Sequence, residues 1–594
     1  MVEYQVMSNS SAVAQQIARS LVLTGVSDVV FAPGSRSAPL VYAVAPLAEA
    51  GLIRTHVRVD ERDAAFLALG LARGLRARGS ESVVAVVTTS GSAVANLHPA
   101  VLEAAYGHLP LLALTADRPA RLRATGANQT IDDQSQVLSD VRARFDIPAG
   151  DTAEAVGRAV AGAVTAASGR TGGTLAEAAG PVQFNVQFDT PLVPTEDELG
   201  AWSEEIGELI ETGTAGDGRR SAQIAPDSAA LGPRASVGVT ITDGTVIVAG
   251  DAGGHPAESL RGLAADHHLP VLAEPSSTLA WASTHSAGRA AEPSPSVPAH
   301  ARVLGDHSEL REAIRTVIVH GKPTLTRSVA ALLADDSVDV QRVPDDIDAA
   351  DLTVTDETTV DSTAAGEAQS SGASGATWAR AWIEAGTSLV AGARAERSAE
   401  PDTTGSSGPA SVKEFQSTAR EITEHLAAQD ITLFVASSNS VRYLSDATDI
   451  RARIHASRGL AGIDGLVSTA TGLSLGLGEP VVLLIGDIAM LHDIGGLLTP
   501  SAEDAGNMTI VVLNDDGGAI FSGLEHSQSH LEGFLERYFT VPHGRGFEDL
   551  AAAYGWDHVQ VTGAEEFEAT LGMLDGERNT GTSARRIIEV TASH

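Results

Sequence analysis

The chain has 594 residues, a formal net charge of −36 and no cysteine. That length exceeds one ordinary core and predicts three domains of roughly 150–200 residues each. The acidic balance opposes nucleic acid or an anionic membrane surface as a partner, and the missing cysteine excludes disulfides, thiolate metal sites and cysteine nucleophiles.

The N-terminus, MVEYQVMSNSSAVAQQIARSL, lacks the basic start and apolar run of a signal peptide. No apolar stretch approaches the ~20 residues of a membrane-spanning helix. A cytoplasmic protein without membrane insertion is therefore expected. Ser11 to Leu23 reads as an amphipathic helix stopped by Gly25, with a short strand at Asp28–Ala32. Val83–Thr88 and Leu109–Thr115 are continuous apolar runs of strand length, Ser92–Ala105 between them is helical in pattern, and Gly180–Phe188 closes the unit as a strand. Apolar strands separated by helices predict an α/β fold with parallel sheets covered on both faces.

A second unit, from about residue 237 to 335, carries the strands VIVAGD and LPVLAEP but no G-x-G-x-x-G fingerprint, so no dinucleotide is assigned to it. Val343–Thr377 has eight acidic residues and no Lys, Arg or aromatic, which predicts a mobile insertion. Shorter breaks of the same kind fall at Thr212–Ser236 and Glu400–Ser411. A third unit from about Val412 repeats the α/β rhythm with ITLFVAS, PVVLLIGD, MTIVVLND and RRIIEVTA. The expected domains are 1–195, 196–411 and 412–594.

Gly486-Asp487 ends one predicted strand and Asn514 ends the next, at the edge where open parallel sheets bind ligands. A carboxylate and an amide oxygen on adjacent strand ends suit a hard cation such as Mg²⁺ or Mn²⁺, although a Gly-Asp at a strand end is also an ordinary turn. In the first unit, Asp60-Glu61-Arg62-Asp63 precedes an alanine-rich helix. Taken alone, that run is better explained by helix capping by Asp60, with Glu61 favourable near the positive helix end.

These two motifs resemble the thiamine-diphosphate enzymes. Longer stretches narrow the resemblance: FAPGSRSAPL (Phe31–Leu40), TTSGSAVANLHP (Thr88–Pro99), TADRPARLRATGANQ (Thr115–Gln129), SRGLAGIDGLVSTATG (Ser457–Gly472), DIAMLHD (Asp487–Asp493) and NDDGGAIFSGL (Asn514–Leu524). They are similar to the synthases of the menaquinone pathway that join 2-oxoglutarate to isochorismate. Two departures from the thiamine-diphosphate enzymes' pattern, G-D-G followed some 25–30 residues later by Asn-Asn, are plain: the third position of the first motif is Ile488, and the second Asn is Asp515.

The resemblance implies a transferase of three-domain architecture, with pyrimidine-binding, central and diphosphate-binding domains. It decarboxylates 2-oxoglutarate on thiamine diphosphate and passes the succinyl unit to isochorismate. Glu61 would be the catalytic proton relay to the cofactor ring. Asp487, Asn514 and the carbonyl of Asp516 would hold the metal ion, with Gly486 beside the diphosphate. Ile463 is the candidate wedge beneath the cofactor, unless it is an ordinary core isoleucine. Ser35, Arg36, Arg118, Gln129, Arg327, Ser438, Arg442 and Arg458 are implied at the substrates. Each arginine, taken alone, could be a surface charge. Ile520, Phe521 and Leu524 are implied as an apolar wall. In the family each active site is shared between two chains, which implies a homodimer or a dimer of dimers. Another thiamine-diphosphate 2-oxoacid enzyme, or a non-catalytic relative, are the competing expectations. His98 and His492 lie inside these motifs, and each is explained as a polar packing residue.

Overall fold

A computed structural model describes residues 9–169, 178–213, 236–282, 295–358, 370–398, 410–518, 520–521, 524, 526, 528–578 and 585–592. Two compact units emerge from the pattern of contacts: Met1–Pro233 with Asp464–Glu479 and Asp493–Gly506, and Arg234–Ile463 with Pro480–His492 and Asn507–His594.

The first unit is built on a six-stranded parallel sheet of β1 (Asp28–Phe31), β2 (Arg54–Val57), β3 (Val84–Thr88), β4 (Leu111–Asp117), β5 (Ala143–Ile147) and β6 (Pro181–Gln187), in the order β2-β1-β3-β4-β6-β5. Side chains alternate between two cores. Val29, Phe31, Ala85 and Val87 pack on one face and Val30, Val84 and Val86 on the other, so β1 and β3 are buried along their whole length and almost entirely apolar because both faces are covered.

The helix Glu61–Ala77 covers one face and packs along the helix Leu466–Leu477 at backbone contact. A Cβ on Gly70 would overlap the Thr469 carbonyl, and one on Gly472 would overlap the Leu67 carbonyl. Only glycine permits that approach.

Among the described residues the second unit holds three sheets. Strands β8 (Thr245–Ala249), β9 (Val271–Ala273), β10 (Thr316–His320) and β11 (Asp339–Val343) form one in the order β11-β10-β8-β9, and β7 (Val237–Ile241) pairs with β12 (Leu352–Asp356). Strands β13 (Thr432–Val435), β14 (Arg453–His455), β15 (Val481–Gly486), β16 (Met508–Asn514), β17 (Asp557–Val561) and β18 (Arg585–Thr591) form the six-stranded sheet β14-β13-β15-β16-β18-β17. Its order is that of the first sheet, which accounts for the matching rhythm of the sequence at the two ends of the chain.

Three expectations change. The stretch Ser92–Ala105 is not one helix: it divides into Ser92–Asn96 and His98–Tyr106, where Pro99 has no N–H to continue the first helix. The expected mobile insertion Val343–Thr377 is structured at both ends, because β12 pairs with β7 and a helix Ser370–Ser398 begins before Thr377. Residues 359–369 of it lie outside the described residues, as do most of the breaks at Thr212–Ser236 and Glu400–Ser411. Finally, Ile463 is 37% exposed, so it is not a core isoleucine.

Candidate functional site

In the first unit, the loops that follow β1, β3 and β4 all leave the C-terminal edge of the sheet. Arg118 begins one of them, and its Nη1 donates to Ser90 Oγ at 2.5 Å and to the Gln129 carbonyl at 2.6 Å. Gln129 adopts φ +55° and returns its Nε2–H to the Ser90 carbonyl at 2.9 Å, locking the two loops together. Arg36 is tied to the sheet edge by Nη1 donating to the Phe188 carbonyl at 2.8 Å, while its buried Nε has no partner. Desolvation first, and then the nearby Arg118, lower the Arg36 pKa; Asp189 and Asp117 oppose that. Ser35 is exposed beside it. Two guanidinium groups crowded at the mouth of Gly- and Ser-rich loops, one with an unused N–H, suit a carboxylate or other anion.

Glu61 opens the helix Glu61–Ala77. Asp60 is indeed its cap, accepting from the Arg62 N–H at 2.8 Å. Capping and a role for Glu61 are therefore compatible: the cap holds the first turn, and the turn presents Glu61 half-buried, with Asn96 Nδ2 donating to its Oε2 at 3.4 Å. In the same first turn Asp63 is buried, as is Asp493. Burial raises the pKa of both, and Asp493 raises that of Asp63 further.

In the second unit, β15 ends at Gly486 in register with Leu513 of β16, so Asp487 and Asn514 emerge on adjacent strand ends. Asp487 is 2% exposed and opens the short helix Asp487–His492. Its carboxylate accepts from the N–H groups of Ile488 at 2.6 Å and Gly517 at 2.7 Å and meets His543 Nε2 at 2.9 Å. Burial raises its pKa, and those hydrogen bonds, His543 first, pull against the rise.

Asn514 Oδ1 accepts the Asp516 N–H at 3.2 Å, while its Nδ2 is held by Glu589 Oε1 at 2.6 Å and the Arg545 carbonyl at 3.0 Å, which fixes which face of the amide is the acceptor. Asp516 has φ +58°. Asp515 is pushed up to about 7, mainly by burial and then by Asp487.

Among the described residues no three His, Asp or Glu side chains converge on a cation cage. One carboxylate, one amide oxygen and a main-chain carbonyl fit Mg²⁺ once phosphate oxygens and water complete the octahedron. The mutual repulsion of Asp487, Asp515 and Asp516 is what such a cation would relieve.

The same unit gathers Ser438, Arg442 and Arg458. Ser438 caps the helix Asn439–Leu444, which carries Arg442. Arg458 is 6% exposed; Nη1 donates to Ser437 Oγ at 3.0 Å, Nη2 to Thr324 Oγ1 at 2.8 Å, and Nε has no partner. Partial desolvation and then Arg458 lower the Arg442 pKa. Arg327 begins the helix Arg327–Leu333, three residues after Thr324. Ile520 and Phe521 are half-buried and Leu524 is 37% exposed; Phe521 packs against Phe539 with ring centroids 5.7 Å apart.

His98 meets Ser139 Oγ at 2.8 Å, as a polar packing residue should. Sequence reasoning missed His543, Glu589, Ser90 and the Asp63–Asp493 pair. The run His543-Gly544-Arg545-Gly546, a His and an Arg among glycines, was the one local signal for His543.

A family model described as the N-terminal TPP binding domain of thiamine pyrophosphate enzymes matches residues 11–137, and its C-terminal counterpart matches 438–578. A 4-hydroxybenzoylformate decarboxylase from Rhodococcus jostii RHA1, described as thiamine diphosphate-dependent, shares the fold with a TM-score of 0.59 over 98% of this chain and 99% of that one, at 17% identity. The 2-succinyl-5-enolpyruvyl-6-hydroxy-3-cyclohexene-1-carboxylate synthase of Paenarthrobacter aurescens is 40% identical across 95% of this chain and 92% of the relative. The protein of the same name from Renibacterium salmoninarum is 37% identical across 97% and 93%. Likeness of that degree along nearly the whole chain decides the matter: it belongs to the 2-succinyl-5-enolpyruvyl-6-hydroxy-3-cyclohexene-1-carboxylate synthase family of thiamine-diphosphate enzymes.

Proposed function

We propose that the protein decarboxylates 2-oxoglutarate and adds the resulting succinyl unit to isochorismate, as a cytoplasmic homodimer or dimer of dimers in menaquinone synthesis. Thiamine diphosphate, when bound, supplies the electron sink for losing CO₂ from a 2-oxoacid. Asp487, Asn514 and the Asp516 carbonyl hold Mg²⁺ or Mn²⁺ against its diphosphate, next to Gly486. Ile463 and Ile520 contribute apolar contacts to the rings. Glu61 holds a proton at the aminopyrimidine and moves it to and from the ring nitrogen. Its position on the first turn of a capped helix keeps that carboxyl in one place. The sequence units 1–195, 196–411 and 412–594 serve as pyrimidine-binding, central and diphosphate-binding domains.

Both substrates are dicarboxylates, and the observation that carries the reading is the arginine content of the loops. Arg36 and Arg458 each keep a buried Nε without a partner in a chain of net charge −36. Ser35, Arg36, Arg118 and Gln129 are assigned to the substrates, as are Arg327, Ser438, Arg442 and Arg458. Phe521 and Leu524 exclude water from the succinyl chain. The test is substrate choice: turnover with 2-oxoglutarate and none with pyruvate, which lacks the second carboxylate. Equal turnover with pyruvate would favour another 2-oxoacid carboligase.

A further inference from the structure

Glu274 follows β9 and is 1% exposed, a carboxyl that no motif accounts for. Its main-chain N–H donates to the Ala249 carbonyl at 2.8 Å, and its Oε1 accepts the Leu325 N–H at 2.5 Å. Its Oε2 is buried and has no hydrogen-bond partner. The residue before Leu325 is Thr324, whose hydroxyl accepts from Arg458. Glu274 thus lies behind the Thr324–Arg458 contact, carrying an unused oxygen, while Arg458 carries an unused N–H.

The charged groups around it are few. Arg458 lowers the Glu274 pKa and Asp251 raises it. Lys322, whose N–H donates to the Asp251 carbonyl at 2.8 Å, turns its ammonium to the Gly459 carbonyl. Arg442 feels Arg458 from the outer side.

An ionised Glu274 therefore cancels part of the positive charge that Arg458 offers outward. A neutral one leaves that charge whole. We propose that Glu274 is a positioning residue that takes up a proton as a dicarboxylate seats on Arg442 and Arg458, so that substrate binding in this pocket is linked to proton uptake. This rests on the reading above, in which those two arginines hold substrate. Burial, opposed by the Leu325 N–H, then by Arg458 and the Thr324 N–H, and aided by Asp251, pushes the Glu274 carboxyl up to about 7, within the range where such linkage is measurable.

The sign follows from linkage. An arriving anion favours the protonated carboxyl, so affinity is highest below the pKa of the free site and falls above it. If the occupied site stays protonated, the KM of the substrate held here rises about tenfold between pH 6 and pH 8. Glu274→Gln still offers an oxygen to the Leu325 N–H but cannot ionise. In that variant the same KM should be flat with pH and lie below the parent's value at pH 8. A purely structural role for Glu274 would leave the parent's slope in place.

The experiment measures KM and kcat for 2-oxoglutarate and for isochorismate with the holoenzyme across this range, for parent and variant. Calorimetric titration of the parent holoenzyme with isochorismate alone, and of the Mg²⁺-loaded thiamine-free protein with 2-oxoglutarate, in two buffers of different ionisation enthalpy, counts protons even if the variant does not fold. Net uptake with one substrate and a slope that Gln abolishes support the proposal. No uptake with either substrate, or a slope that persists in the Gln variant, overturns it. A parent with no turnover of the two substrates at any pH would instead defeat the substrate assignment, and this proposal with it.

Discussion

Replacing Asp63 by Asn should remove a pH dependence from the stability of the first unit. Asp63 is 4% exposed and Asp493 0%, and Arg62 Nη2 reaches them at 3.8 and 3.5 Å. Asp493 also accepts from the Ser468 N–H at 3.0 Å, whereas Asp63 Oδ1 is buried with no donor. One cation cannot neutralise two buried carboxylates, so the pair retains a proton that an unfolded chain would release. Burial is the leading cause of the raised pKa on both sides; for Asp63 the charges of Asp493 and Asp60 add to it, and Arg62 opposes.

A raised acid pKa contributes stability that is complete below the ordinary value of 3.8 and is lost as pH climbs through the raised one, about 8 for Asp63. Each pH unit within that window costs up to ~1.4 kcal/mol. With relaxation and the shared charge taken into account, the parent should lose on the order of 2 kcal/mol more than the variant between pH 5 and pH 7.5. The amide introduced by Asp63→Asn can donate to Asp493 as a protonated Asp63 does, but it does not titrate. Urea unfolding at the two pH values, parent against Asp63→Asn, measures the difference; carboxyls elsewhere titrate alike in both and cancel. A chain of two units can unfold in steps, so the relevant transition is the one that also moves in Gly472→Ala. Parallel pH dependence in parent and variant would refute the shared-proton account.

Gly472→Ala itself should cost about 1–3 kcal/mol, since its new methyl meets the Leu67 carbonyl on a helix that cannot withdraw; an unchanged unfolding midpoint would contradict the backbone contact. Glu61→Gln should retain cofactor but slow exchange of the cofactor's C2 proton by roughly 10²–10⁴-fold, and parental exchange rates measured by NMR would remove Glu61 from the chemistry. His543→Ala should weaken Mg²⁺-dependent retention of thiamine diphosphate by roughly 10–100-fold, as loss of a supporting partner does, and Asp487→Ala should weaken it more. Calorimetry giving unchanged affinity in Asp487→Ala would displace the metal site.

The interior of each sheet was legible in the sequence and its margins were not. β3, β4, β15 and β16 are buried on both faces, so their residues form continuous apolar runs. The edge strands β2 (RTHV), β5 (ARFDI) and β17 (DHVQV) are solvated on one side and mix charge with apolar residues, which hides them from any test of periodicity.

Acidic composition misled at Val343–Thr377 for a related reason. β12 is itself largely exposed but pairs with the partly buried β7, so deleting the whole segment would remove a strand instead of a tether. The places of Glu61, Asp487 and Asn514 at helix and strand ends were legible because such ends are marked by local pattern. Partners such as Arg62 and Asp493, separated by 431 positions, meet only through the packing of two helices at glycine contacts, and no local pattern encodes that. Glu274 escaped notice because its significance lies in what it does not touch.

The central claim is most directly tested by following isochorismate in the ultraviolet with the purified protein, 2-oxoglutarate, thiamine diphosphate and Mg²⁺, while CO₂ release is counted in the same vessel. The account predicts that isochorismate disappears only when all three additions are present, with one CO₂ formed for each molecule consumed and the succinylated cyclohexene product found by mass. CO₂ released without loss of isochorismate, or no reaction in the complete mixture, would contradict it.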